Sequence, residues 1–276
     1  MLENTQNLHT NNGFADEGTI YVRRAFATGN YGNLQLQLGR IEYTDYQVFY
    51  WNNSEFDGLR LDYKFNNNLN VFGIYGRAST SGGTWTADSS SKGGARDSLG
   101  LNVNYQSGPI RLLASYWNIG KDKKDNVIGK DLSNDMYYLT ASYNLSKMFT
   151  VSGSYVHTSL ETQKSGKSGF IGMLSYGKLN MRKKGTWNVY AKYYQLPGAA
   201  IYSSGPQGDL EVPVSNGTAV NPFSFSQYGW KGYNIGADYI IGKNIRLHSS
   251  WISVEAKDSS NKSKTDAFTV QMLMMF

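Results

Sequence analysis

Residues 57–65 read DGLRLDYKF. Leu59, Leu61, Tyr63 and Phe65 occupy every second position, with Arg60, Asp62 and Lys64 between them. Successive side chains of a strand point to opposite faces, so this period of two predicts a strand with one apolar and one polar face. The pattern recurs at 98–106, SLGLNVNYQ, where Leu99, Leu101, Val103 and Tyr105 alternate with Gly100, Asn102 and Asn104. It recurs again at 185–194, GTWNVYAKYY, where Trp187, Val189, Ala191 and Tyr193 alternate with Asn188, Tyr190, Lys192 and Tyr194.

About thirteen such segments follow one another, by the same alternation. They start near Thr19, Leu34, Gly58, Leu69, Asp97, Pro109, Asp135, Phe149, Ser168, Thr186, Gly232, Ile245 and Asp266. The connections alternate as well. GNYGN, NNN, QSGP, NLSKM and GKN are short and carry Gly and Asn, which supply the positive φ of tight turns. GKLNMRKKG at 177–185 belongs with them but is longer. Between them come longer polar loops near 42–57, 79–96, 120–134, 160–167, 196–228 and 256–264. This predicts an all-β, antiparallel up-and-down meander with two unlike ends. An open meander exposes backbone groups at its edges, and closure into a barrel satisfies them.

Alternation does not say which face meets water. The polar face does: Asn, Ser, Gly, Thr, Tyr, Lys and Arg recur on it, without the Glu and Lys blocks of a solvated surface. Aromatics gather at strand ends, as at Tyr105, Tyr116, Trp117, Tyr193, Tyr194 and Tyr239. One apolar face, aromatic ends, short turns on one side and long loops on the other describe a transmembrane β-barrel.

Composition closes other routes. A mean hydropathy of −0.47 with 14% aromatic residues fits neither a disordered chain nor a helical membrane protein. No window approaches 18 consecutive apolar residues, so no transmembrane helix is expected. With no Cys there are no disulfides, thiolate metal sites or Cys nucleophiles. The net charge of +6 comes from basic residues scattered along the chain rather than gathered in a stripe, which argues against a nucleic-acid partner. The polar start, MLENTQNLHTNNGFADEG, has no apolar signal-peptide core, which is read as a removed signal or as part of something longer.

The last ten residues, AFTVQMLMMF, put Phe268, Val270, Met272, Met274 and Phe276 on one face. In this the chain resembles the outer-membrane general-diffusion porins, whose last strand commonly ends in Phe after alternating apolar residues. In that family the strand is the signal read by the barrel-assembly machinery. A second stretch, 38–58, LGRIEYTDYQVFYWNNSEFDG, is similar to the family's Gly-Arg strand end, inward-folding acidic loop and EFGG-like turn. Gly39, Arg40, Glu55, Phe56 and Gly58 match, while Asp57 stands for a glycine and the spacing is shorter. The Asn-, Tyr- and Lys-rich strands also resemble porins of diderm Firmicutes that an S-layer-homology domain tethers to peptidoglycan. No such domain lies in these residues.

The resemblance implies a bacterial outer-membrane location with lipid around the barrel, homotrimers, and passive diffusion of ions and small hydrophilic solutes without cofactor or metal. Strand parity bears on the size. First and last predicted strands run the same way, which even-numbered antiparallel closure forbids. Three further strands give a sixteen-stranded porin, with residues 1–276 a single barrel domain lacking its first strands; one strand from 1–18 gives fourteen.

Selectivity in such a channel comes from the charges lining it. Alternation places Arg60, Asp62, Lys64, Arg111, Lys192, Asp238, Arg246 and His248 on the polar face. Glu42, Asp45, Glu55 and Asp57 are the acidic residues of the expected pore loop. Arg40 divides the two arguments: the family match turns it inward, while alternation with Leu34, Leu36 and Leu38 turns it outward. A hydrolase would need a nucleophile or acid cluster at the rim. His157 before Thr158 and Ser159 is the nearest approach, and His9, His157 and His248 show no metal spacing. A structural or adhesive barrel with a plugged lumen is the remaining alternative.

Overall fold

The computed structural model describes residues 2–4, 20–22, 25–43, 54–79, 96–119, 133–159, 166–197, 214–215, 218–219, 229–257 and 264–275. Every helix or strand among them is a strand. Thirteen form one sheet: β1 Ala25–Tyr31, β2 Leu34–Tyr43, β3 Ser54–Lys64, β4 Leu69–Ser79, β5 Arg96–Ser107, β6 Ile110–Ile119, β7 Asn134–Asn144, β8 Phe149–Thr158, β9 Ser168–Gly177, β10 Trp187–Leu196, β11 Trp230–Gly242, β12 Ile245–Ala256 and β13 Lys264–Met274. Each pairs antiparallel with its sequence neighbours, so the sheet is an unbroken meander whose edges, β1 and β13, are not joined among the described residues.

The expected strands are found in number and order, and the connections alternate as the turn residues imply. Gly32 and Gly108 have φ of 59° and 53°, and Asn244 at 61° is the one non-glycine with positive φ among the described residues. Asn66 and Ser146 close their turns by accepting backbone N–H bonds two and three residues on. The longer turn at 178–186 is built on Asn180 and Thr186, and it reaches over to the next hairpin. Gly185 N–H donates to Ile240 O at 2.8 Å and Asn244 N–H to Met181 O at 2.7 Å.

Two departures occur at the start. Ile20–Val22 pairs with Leu2–Asn4 in a separate two-stranded sheet, so β1 begins at Ala25 rather than near Thr19. Strand β3 begins at Ser54, four residues before the expected Gly58, because it stays paired with β2 out to Tyr43. Arg23, Arg24 and Phe276 lie outside the described residues. A further short pair, Val214–Ser215 with Thr218–Ala219, falls within the long 196–228 loop.

The two faces of the sheet differ in exposure. Leu61, Leu101, Leu139, Leu174, Ile235 and Val270 are exposed on one. Phe72, Asn102, Thr140, Tyr190, Asn234 and Asp238 are buried on the other. Apolar outside and polar inside is the reverse of a water-soluble barrel.

Candidate functional site

The outward face is built in bands. Tyr116, Tyr137, Tyr155, Phe170, Tyr193, Tyr233, Trp251 and Phe268 form a row toward the long-loop end, and neighbouring rings touch across strands. Tyr116 meets Tyr137 at 5.2 Å, Phe170 meets Tyr193 at 5.8 Å and Tyr233 meets Trp251 at 5.1 Å. A second row, Tyr63, Tyr105, Tyr143, Tyr176, Trp187 and Tyr239, lies toward the short turns, with Tyr176 and Trp187 at 5.6 Å. On β7, β9, β10 and β11 the rows are six residues apart, roughly 20 Å along a strand, and Leu, Ile, Val, Met and Ala fill the space between. Beyond the upper row stand exposed ion pairs: Arg40–Asp57 at 2.7 Å, Arg77–Asp97 at 3.1 Å, Lys231–Glu255 at 3.1 Å and Lys264–Asp266 at 3.3 Å. A charge is costly at a bilayer midplane and nearly neutral at its edge, so this is the order of chemistry that a membrane imposes.

The inward face has two tiers. Toward the short turns it is hydrophilic. Arg60 makes a bidentate bond to Asp62, both contacts 2.7 Å, while its guanidinium lies 4.5 Å over the Phe72 ring. Hydroxyl and amide groups link strands pairwise: Ser115 donates to Asn102, Thr140 to Ser154, Thr150 to Asn144 and Ser175 to Asn188. Asp238 on β11 is only 9% exposed and faces His248 Nδ1 at 2.9 Å and Arg246 Nε at 3.7 Å on β12. Tyr190 stacks on His248 and carries the Lys192 ammonium 4.6 Å over its own ring.

Toward the long loops the same face turns apolar and buried: Ile41, Phe56, Ile74, Trp117, Met136, Val156, Leu196, Trp230 and Val254. Trp117 lies across Gly100, where a Cβ would stand 2.5 Å from the indole. At the rim Lys257 reaches back to donate to Ser168 O at 2.8 Å, and burial pushes its pKa below the ordinary lysine value. Among the described residues no three His, Asp or Glu side chains gather as a metal ion would require.

No family model matches the chain, and no curated protein matches it by sequence. Solved structures do match. A porin from Rh. blastica is 13% identical, with a TM-score of 0.54 over 99% of this chain and 88% of that one. OccK8 (OprE) of Pseudomonas aeruginosa is 10% identical, with a TM-score of 0.61 over 90% and 70%. The outer-membrane protein OmpT of Vibrio cholerae, in a trimer form, is 11% identical, with a TM-score of 0.55 over 92% and 81%.

This is a porin-type β-barrel fold. On the porin-type wall, Arg60, Arg111, Lys192 and Arg246 stand on the inward face by register, and Lys64 stands on the same parity at the exposed turn end of β3. Arg40 and Asp57 do not. They are paired across β2 and β3 on the outward parity, in line with Leu38 and Leu59, and bonded twice at 2.7 Å. Pairing of β2 with β3 runs through Gly39 without a register shift, so alternation prevails over the motif. The backbone pairs Glu42 with Glu55, and Asp45 lies outside the described residues. Phe268, Val270, Met272 and Met274 form an exposed outward stripe on β13, Phe268 at 70%. His157 also faces outward, with Nδ1 2.8 Å from Ser168 Oγ.

Trp117 and Tyr194, expected among the aromatics of the membrane interface, instead point inward by strand register and are buried, at 0% and 2% exposure. Sequence reading passed over Trp230 and Asn234 on the same inward face. The signal for Asn234 was present in GYNIG at 232–236, which puts small, polar, small on one face beside a strand that puts Tyr, Lys, Tyr on the same face.

Proposed function

We propose that this chain forms the wall of a water-filled channel in the bacterial outer membrane, through which ions and small hydrophilic solutes diffuse passively. The observation that carries this is the inversion of polarity. Large apolar side chains are exposed in a band between two aromatic rows, while Asn, Ser, Thr, Arg and Asp are turned inward. No chemistry is asked of these residues beyond wetting the lumen and setting its charge.

The edges β1 and β13 run in the same direction, so antiparallel closure takes an odd number of further strands, and three would complete a wall of sixteen. The exposed β13 stripe is the element we propose the barrel-assembly machinery engages. Assembly as homotrimers in outer-membrane lipid is proposed on the likeness to the trimer form of the Vibrio protein.

The buried apolar tier favours a second reading, a barrel plugged at its long-loop end. Conductance of the refolded chain in a planar bilayer separates the two. Stable steps are expected for the channel. A heat-resistant folded band on a gel without conductance is the outcome that supports the plugged barrel.

A further inference from the structure

Asn234 sits on the inward face of β11 with no exposed surface, and neither its amide oxygen nor its amide nitrogen has a hydrogen-bond partner. Buried polar groups nearly always have partners, and each unmet one costs about 1–3 kcal/mol. Asn70, Asn102 and Asn104 each leave one amide atom unmet, and turning the amide over exchanges which atom that is. Asn234 is unsatisfied in either orientation.

Its surroundings are built. Along β11 it is flanked on the same face by Gly232 and Gly236. Across on β10, Tyr190 and Tyr194 stand on either side of Lys192, its register partner. The Tyr190 ring lies over Gly236, where a Cβ would come within 2.4 Å of it. The Tyr194 ring meets Trp230 at 4.8 Å, and Trp230 Nε1 is a second buried donor with no acceptor. The unmet groups are therefore two donors and one acceptor, set among aromatic rings.

A carboxylate or phosphate only accepts, and would leave the Asn234 oxygen unmet and repel it. An ammonium only donates. A pair of adjacent hydroxyls does both, and the C–H faces of a sugar ring suit aromatic walls. We infer that the inward wall across β10 and β11 carries a subsite, centred on Asn234, for a neutral polyhydroxylated solute of the sugar class. The inference rests on this face lining a lumen, and it adds to free diffusion a place where one class of solute pauses.

The test is titration calorimetry on the full chain folded in detergent, with maltose as probe and acetate, which only accepts, as the anionic control. Maltose is expected to bind and acetate not. Asn234→Leu should weaken maltose binding about ten-fold or more, yet melt no lower than the parent, because it removes an unmet amide. Trp230→Phe keeps the ring and removes the donor, should weaken binding several-fold, and decides the matter if the leucine variant does not fold. Failure of the folded parent to bind maltose, or equal binding by the folded variants, overturns the subsite and leaves ordered water as the partner of Asn234. Bilayer conductance without maltose binding removes the subsite alone. Maltose binding with this pattern but no conductance removes the channel reading and keeps the subsite.

Discussion

The two tiers of the inward face come from the same strands, a few residues apart, and they solve different problems. Near the short turns, Arg60 with Asp62 and Asp238 with His248 keep charged groups satisfied on a surface built for water. Near the long loops, Ile41, Phe56, Trp117 and Met136 are at most 1% exposed and behave as a core. One strand therefore changes from a hydrophilic inward surface to packed interior within about three pleats. Depth along the barrel axis, as much as the choice of face, decides what a position must be.

The largest break in this comparison comes from the packed tier. Trp117→Ala removes an unexposed indole that fills the space over Gly100, and should cost about 3–5 kcal/mol in denaturant unfolding of the detergent-folded chain. A loss under ~1 kcal/mol would show that this tier is not packed. In the hydrophilic tier, Asp238→Ala removes the carboxylate that faces His248 and Arg246, and is expected to cost roughly 2 kcal/mol, less than a fully buried pair because Arg246 is 37% exposed.

Smaller effects sharpen the charge side. On the described inward face Arg60, Lys64, Arg111, Lys192 and Arg246 face only Asp62 and Asp238, so a salt gradient should give an anion-selective reversal potential. Neutralising Arg111 and Lys192 together should move it toward zero, and a cation-selective parent would overturn the assignment. The smallest effect is expected at Arg40 and Asp57. Removing either should change stability by ~1 kcal/mol or less and leave the reversal potential where it was, as fits an exposed pair on the outward face. A shifted potential would return Arg40 to the lumen, where the family motif would have it.

That pair also marks how far sequence carries. Strand number, strand order, the assignment of faces and most turns were legible, because side chains alternate with an invariant period and Gly and Asn punctuate tight turns. Face assignment even overruled the Gly39–Arg40 motif. Depth was not legible. Nothing in the alternation of Asn102, Asn104 and Gly100 says that Gly100 lies under Trp117 while Asn102 takes a bond from Ser115. Those neighbours are fixed by register between strands. The Asn234 cluster was hidden for the same reason: Tyr190 and Tyr194 lie 44 and 40 residues from it in sequence and become neighbours only through β10–β11 pairing. The first strand was misplaced because Ile20–Val22 is paired elsewhere.

Gly39, Gly58 and Gly76 are register partners across β2, β3 and β4. A Cβ on any of them would stand 2.3–2.4 Å from a carbonyl oxygen of the adjacent strand. Because the obstruction is backbone, no rearrangement of neighbouring side chains relieves it, and the three positions can change only together with the path of the chain. Glycines at matched register on three successive strands thus form a crease line that can be sought in any barrel sequence once its hairpins have been aligned, before a coordinate is known.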